Sequence, residues 1–477
     1  MTASILVLIA GLYPPAERVQ SPPSLVAITH VSVIDTTSGR VQADQSIVIK
    51  DGRIVEPGER PDAALPLDAD VVDGTGKFLI PGLWDMHSHI AAANRAGAKE
   101  YLDLYLANGI TGVREMHAFF PDLIFGLRKD IETGKLTGPR IVAAGAMIDG
   151  PKPSAGGAVV AADANQGRTA VRSLKKRGAD FIKVHSKLPR EVFLAVVDEA
   201  RKQGLFVAGH VPEAVSAAEA SDAGQRSIEH LTGLWLACSS SEEALRKETV
   251  DALQAGAAGD LPLLIRLMVK PVTSYSDSKA KLLYQRYVRN HTWQTPTLVL
   301  LRALSSLDDL HFISDPRVKY MPAFVRNFWD IRNPQNQALI KEKSNLRKAY
   351  KRSLEEVRKM HRTGVKLLAG TDHPFPFCFP GFSLHDELAL LVEAGLTPLE
   401  ALQTATLNPA QYFDRLSDCG TVNKGKWADL LLLDANPLDD ITNTRRISAV
   451  ILRGKVLRRS ALDKMLADLE RQKSAAP

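Results

Sequence analysis

Cysteine is nearly missing from this chain: three residues, Cys238, Cys378 and Cys419, in 477. That excludes a disulfide framework and a thiolate metal cage, and leaves one bridge to consider, Cys238 to Cys378. Charge of one sign is equally scarce. Sixty basic against 54 acidic residues leave a net +6. The locally basic stretch around Arg453, Lys455, Arg458 and Arg459 reads as a solvated face and not as a nucleic-acid surface. Repeats and low-complexity tracts are absent. The N-terminal apolar run, Ala3 to Ala10, is too short to cross a bilayer, which takes about 20 residues, and no basic residue precedes it. It reads either as the apolar part of an export signal, which the sequence slightly favours, or as a frayed terminus of a cytoplasmic protein.

What the chain has in quantity is core material, 45% hydrophobic residues, which excludes wholesale disorder. Its length suits two or three domains, or one large α/β barrel with an appendage. After a leader over 1–23, short β-rich runs (Val26–Ile28, Val31–Ile34, Ser46–Ile49) are separated by turn signals such as Ser38-Gly39 and Asp51-Gly52. The same style returns at Leu430–Leu433 and Val450–Val456. Neither end buries a core alone, so residues 24–77 and 416–460 are expected to form one small β-sandwich, with a helix or tail over 461–477.

The middle, 78–415, alternates strand and helix signals. Strands are expected at Leu79–Trp84, Gly112–Met116, Arg140–Ala144, Phe181–Val184, Leu205–Ala208, Ser227–Glu229, Thr297–Leu301 and Val365–Ala369. Helical periodicity marks Lys99–Asn108, Arg168–Arg177, Glu191–Gln203 and Leu346–Arg362. Eight strands each followed by a helix predict an α/β fold, a (β/α)8 TIM barrel, with a helical insertion at 238–292 on its C-terminal rim.

Chemistry gathers at the ends of those strands. In Asp85-Met86-His87-Ser88-His89 the strand alternation sends both histidines to one face, half of a metal site. Lys183 and His185 end strand four, His210 strand five, His230 strand six and Asp372 strand eight. Each lone histidine would be a satisfied rim residue more often than a ligand, but the tops of barrel strands converge on one volume.

With these residues in place, the sequence resembles the amidohydrolase superfamily of metal-dependent hydrolases. The opening Pro81-Gly82-Leu83-Trp84-Asp85, the histidine pair, the later strand ends and the split β unit carry the resemblance. So do Asp386-Glu387-Leu388, Ala394-Gly395-Leu396-Thr397-Pro398 and Gly425-Lys426-Trp427-Ala428-Asp429. Within the superfamily it is most similar to the imidazolonepropionase-related branch that holds prolidase-like dipeptidases. The resemblance implies two divalent metal ions, zinc first among them, with His87, His89 and Asp372 on one, His210 and His230 on the other, and a carboxylated Lys183 between. It implies hydrolysis of the amide bond of a dipeptide or N-acyl amino acid by a metal-bridging hydroxide, Asp372 shuttling the proton. A lysine beside two dications has a depressed pKa, as carboxylation requires; a rim ammonium facing a substrate carboxylate is its alternative role.

Glu213, three residues after His210, keeps a rival open: a single-metal deaminase or cyclic-imide hydrolase with Glu213 as shuttle, against a plain helix N-terminal carboxylate. His117 and His185 are the candidate substrate-binding residues. His385 and Arg140 are expected to be structural. The partner so implied is a small-molecule amide, with no nucleic acid and no membrane span; assembly as a homo-oligomer is compatible with all of this.

Overall fold

The computed structural model describes residues 25–58, 69–92, 94–255 and 261–474. The leader and its expected export signal lie outside the described residues. Among them, no helix is long and apolar enough to cross a membrane.

Strands from both ends of the chain meet in one eight-stranded sheet. The N-terminal half supplies β1 (Leu25–Ile34), β2 (Val41–Lys50), β3 (Arg53–Gly58), β4 (Asp70–Asp73) and β5 (Phe78–Pro81). β1 is long enough to pair with β2 on one side and with β4 and β5 in turn on the other. β5 then pairs antiparallel with Leu430–Leu433 of the C-terminal half, Leu79 opposite Leu432, and two further strands, Ile447–Leu452 and Lys455–Arg458, complete the order. Alternate residues of both halves, among them Ile28, Ile47, Leu79, Leu430 and Ile451, bury a shared apolar core.

Only Gly82 separates β5 from β6 (Leu83–Ser88), which opens the parallel part of the fold. β6 pairs with β7 (Ile110–Glu115), and β7 with β8 (Arg140–Ala143). A second parallel sheet holds β9 (Ile148–Asp149), β10 (Val159–Val160), β11 (Ile182–Val184), β12 (Val207–Gly209), β13 (Gln225–Glu229) and β14 (Trp293–Thr295). Backbone hydrogen bonds join the two: Asp180 N donates to Ala143 O at 2.9 Å, Leu368 N to Gln294 O at 2.9 Å, and Met86 N to Ala369 O at 2.9 Å. Within Val365–Ala369, expected as the eighth strand, residues 366–369 thus lie bonded between β14 and β6. The chain is a mixed α/β protein built on parallel strands with intervening helices, Arg95–Ala107, Ala164–Arg177, Arg190–Lys202 and Lys343–Thr363 among them.

Two expectations are corrected here. Thr297–Leu301 is not a strand; the strand is Trp293–Thr295, and Leu298–Ser305 is a helix. Cys238 and Cys378 are buried free thiols, and so is the half-buried Cys419 free.

Helices Leu234–Ala237 to Asp277–Arg289 fill the space between β13 and β14, and a further helical excursion over 306–342 follows β14. The second docks on the loop after residue 372 through Trp329, whose indole N–H donates to Pro374 O at 2.8 Å. At the opposite end Arg140 behaves as expected, donating to Asp429 at 2.5 Å and stacking on Trp427, which ties β8 to the terminal sheet.

Candidate metal centre

His87 and His89 leave the end of β6 on the same side, as strand alternation requires. Their Nε2 atoms lie 3.1 and 2.9 Å from one oxygen, Oδ1 of Asp372, and His230 Nε2 lies 3.8 Å from the other. The ligand atoms of His87, His230 and Asp372 fall within 4.8 Å of one another. The His210 ring stands 5.0 Å from that of His230 and 3.9 Å from that of His185. Small residues make this approach possible. A Cβ on Gly370 would stand 2.7 Å from His87 Cβ, and one on Gly209 would stand 2.2 Å from Val184 O and 2.9 Å from Lys183 Cδ.

The outer ring nitrogens are all spoken for. His87 Nδ1 donates to Glu229 Oε2 at 2.9 Å, His89 Nδ1 to His117 O at 3.0 Å, and His210 Nδ1 meets Ser186 Oγ at 2.9 Å. A neutral histidine that gives its Nδ1 proton outward presents a bare Nε2 inward. Both Nε2 atoms point at the same carboxylate oxygen; burial alone would lower His89, but the Asp372 carboxylate beside it holds it above the ordinary histidine value. A cation placed among the three would take up the same nitrogen and carboxylate donors in place of those protons. The donor set of imidazole nitrogens and carboxylate suits zinc and other borderline divalent ions.

Electrostatics around the cluster agree. Burial alone would raise the Asp372 carboxyl, but His230 and His87 beside it hold it well below the usual carboxylate range. Burial pushes Lys183 down to about 8. Its ammonium nitrogen has no hydrogen-bond or ion-pair partner among the described residues, although the side chain is only 2% exposed. Burial, with His185 and Lys183 adding to it, also drives His210 well below the ordinary histidine value.

Beneath the histidines lies a pair that the sequence reading gave no role. Arg114, fully buried, donates to both oxygens of Glu229 at 2.9 and 2.8 Å, to Met86 O at 2.5 Å, and to Ser227, Tyr412 and Thr295. Burial disfavours the Glu229 charge, yet Arg114 and His87 overcome it and keep the carboxyl far below its usual range. Glu229 thus orients His87 from behind, as carboxylates do for metal-ligating histidines. The two come from strands that are not paired, β7 and β13, and meet across the interior that both strands face. Arg114→Met is expected to cost about 3–5 kcal/mol, since it strands a buried carboxylate. Equilibrium unfolding of the metal-free protein measures it, and a loss below 1 kcal/mol would remove the pair from the scaffold.

The remaining candidates divide. His117 spends both ring nitrogens on backbone, Nδ1 accepting from Met147 N at 3.1 Å and Nε2 donating to Gly156 O at 2.9 Å. It reaches the centre through its carbonyl, which holds His89. His185 stays open: its Nδ1 is 3.5 Å from Asp149 Oδ2, outside good hydrogen-bond geometry. His385 bonds Thr444 and the Asn108 carbonyl, both at 2.9 Å, away from the centre, as a structural residue. Asp85 also turned out structural, accepting from Thr371 Oγ1 at 2.6 Å and so tying β6 to the strand-eight segment.

The model of the amidohydrolase family matches residues 78–457. The chain belongs to the amidohydrolase family. As such it is a hydrolase of carbon–nitrogen bonds. Ochratoxinase of Aspergillus niger is 24% identical over 428 aligned residues, covering 76% of this chain and 71% of that protein. Imidazolonepropionase of Thermoanaerobacter pseudethanolicus is 34% identical over 93 residues, covering 18% of this amidohydrolase and 21% of the relative. Among solved structures, bottromycin amidohydrolase superposes with a TM-score of 0.73 at 22% identity, over 94% of this chain and 90% of that one. A Xaa-Pro dipeptidase with bound methionine superposes with a TM-score of 0.67 at 22% identity, over 91% and 100%. These two likenesses speak for the shared fold.

Proposed function

We propose that this amidohydrolase cleaves the amide bond of a dipeptide or N-acyl amino acid at two divalent metal ions, on a (β/α)8 barrel accompanied by a small β-sandwich to which both termini contribute. The observation that carries the reading is the convergence of the Nε2 atoms of His87 and His89 on Asp372, with His230 beside them. His87, His89 and Asp372 would hold one ion and His210 and His230 the other, with Lys183 carboxylated between them. The substrate class draws support from relatives named ochratoxinase and Xaa-Pro dipeptidase. Bound there, divalent ions supply Lewis-acid polarisation of a carbonyl and a nucleophile at neutral pH.

The chain's own residues do the rest. Asp372, kept ionised by its histidines, takes a proton from the attacking water and returns it to the leaving nitrogen. Glu229 and Arg114 fix His87, and the His117 carbonyl fixes His89, so the ligands are ordered before substrate arrives. His185, whose ring lies 3.9 Å from that of His210, faces a polar group of the substrate, and His117 lines the neighbouring wall.

One observation favours the single-metal reading. Burial pushes the Glu213 carboxyl up to about 7, a value suited to a proton shuttle, and it has no hydrogen-bond partner among the described residues. Metal analysis of the reconstituted protein, with turnover of a dipeptide and N-acyl amino acid panel, separates the two. About two ions per chain with amide turnover is expected; one ion with deamination or cyclic-imide opening would install the rival.

A further inference from the structure

Thr297 follows β14 and precedes helix Leu298–Ser305, and its backbone stands in the left-handed region at φ 47°, ψ 51°. A β-branched residue there is an outlier, and glycine or asparagine would suit the backbone better. Such a conformation persists only where its surroundings over-determine it, and it gathers at functional sites.

The surroundings can be named. His230 N donates to Thr295 O at 2.9 Å, fixing the end of β14 to the backbone of His230. On the far side, Val299 N donates to Glu387 Oε2 at 2.7 Å; Glu387 is fully buried, on helix Phe382–Glu393. Leu300 N donates to Thr297 O at 3.0 Å. Thr297 is therefore held between the end of a strand and the start of a helix capped from another element.

The strain delivers one thing, a hydroxyl in a defined place. Thr297 Oγ1 donates its single proton to Pro296 O at 2.8 Å and lies 2.7 Å from His230 Nδ1. With that proton on Pro296 O the oxygen is left to accept, the arrangement in which His230 carries hydrogen on Nδ1 and leaves Nε2 bare towards Asp372. His230 is itself left-handed at φ 56°. Two strained residues thus face each other through one hydrogen bond, and the alternative tautomer, with hydrogen on Nε2, could not bind a metal.

We propose that Thr297 is the positioning residue that sets the tautomer of His230, and that the Glu387-capped helix start holds Thr297 in place to do so. The inference rests on reading His230 as a metal ligand. Three variants test it: Thr297→Val removes the hydroxyl at constant shape, Thr297→Gly removes it while relieving the backbone, and Thr297→Ser retains it. Each is titrated with Co²⁺ against a chelator and followed by its visible spectrum. Metal-free protein labelled with ¹⁵N-histidine reports the tautomer directly, and thermal unfolding of the same protein reports stability.

The expected result is that Val and Gly each weaken Co²⁺ binding roughly 10–100-fold, the range for lost partners of ligating histidines, while Ser stays near wild type. The His230 nitrogen signals should shift away from the Nδ1–H pattern in Val and Gly alone. Metal-free Thr297→Gly should be at least as stable as wild type, so that metal affinity and stability part company. A merely structural threonine predicts unchanged Co²⁺ affinity in Val, or a loss in Ser equal to that in Val, and either result overturns the proposal. If Val fails to fold, Gly still carries the test. Wild-type protein that binds no Co²⁺ would overturn the metal reading together with this one, a result distinct from tight binding in every variant.

Discussion

Lys183→Ala is expected to lose metal and turnover together, and added formate to return part of both. Lys183 is buried, unpaired and lowered towards neutrality, in a strand whose neighbours supply His210 and, through β13, His230. A permanent ammonium in that position would oppose any cation the histidines gather. On the proposed reading the neutral amine would add carbon dioxide, gaining an N–C bond and releasing one proton, to give an anionic carbamate with two oxygen donors. Removing it should leave one ion or fewer per chain and weaken the rest by roughly 10–100-fold. A small carboxylate can enter the vacated space, which is why formate should help. Lys183→Arg should not rescue, because guanidinium stays charged and offers no lone pair. Metal retained in Lys183→Ala, with a raised KM and an active Lys183→Arg, would make the lysine a substrate-binding cation and end the two-metal scheme.

Asp372→Asn should reduce turnover by roughly 10²–10⁴-fold, the usual worth of general acid–base catalysis, while leaving the fold intact. Asp372 sits at φ 58°, a conformation asparagine accepts as readily as aspartate, and its N–H donates to His87 O at 2.8 Å whatever the side chain. The substitution thus leaves the backbone as it is and removes one negative charge, one proton acceptor and one anionic oxygen of the proposed metal centre. Steady-state kinetics of the metal-replete variant, with its melting temperature, gives the answer. Near-normal turnover would pass the proton to Glu213 and bring the single-metal scheme forward.

The residues that end β6, β11, β12 and β13 were legible because strand alternation is local and strand ends are marked by short apolar runs. The meeting of the two termini in one sheet could be read as well, since neither half has enough strands to bury its own core. The seventh strand could not. Leu298-Val299-Leu300-Leu301 satisfies a buried strand and a buried helix equally, and what decides for the helix is Glu387, about 90 residues away, bonded to its first turn. The true strand, Trp293-Gln294-Thr295, is short and half polar. Likewise Glu229 and Arg114 become a pair only when β7 and β13 face a common interior, so each alone carried no signal.

The pairing of β5 with a strand from the far end of the chain has a consequence for synthesis. Leu79 and Ile80 lie opposite Leu432 and Leu431, some 350 residues later. At translation rates of about 5–20 residues per second, the edge of β5 waits roughly 20–70 s for its partner. Until then the nascent chain carries a row of unpaired backbone groups flanked by apolar side chains, the kind of edge that recruits other strands. Because β5 continues through Gly82 into the strand bearing His87 and His89, the first half of the metal centre is finished only once the last strands have left the ribosome.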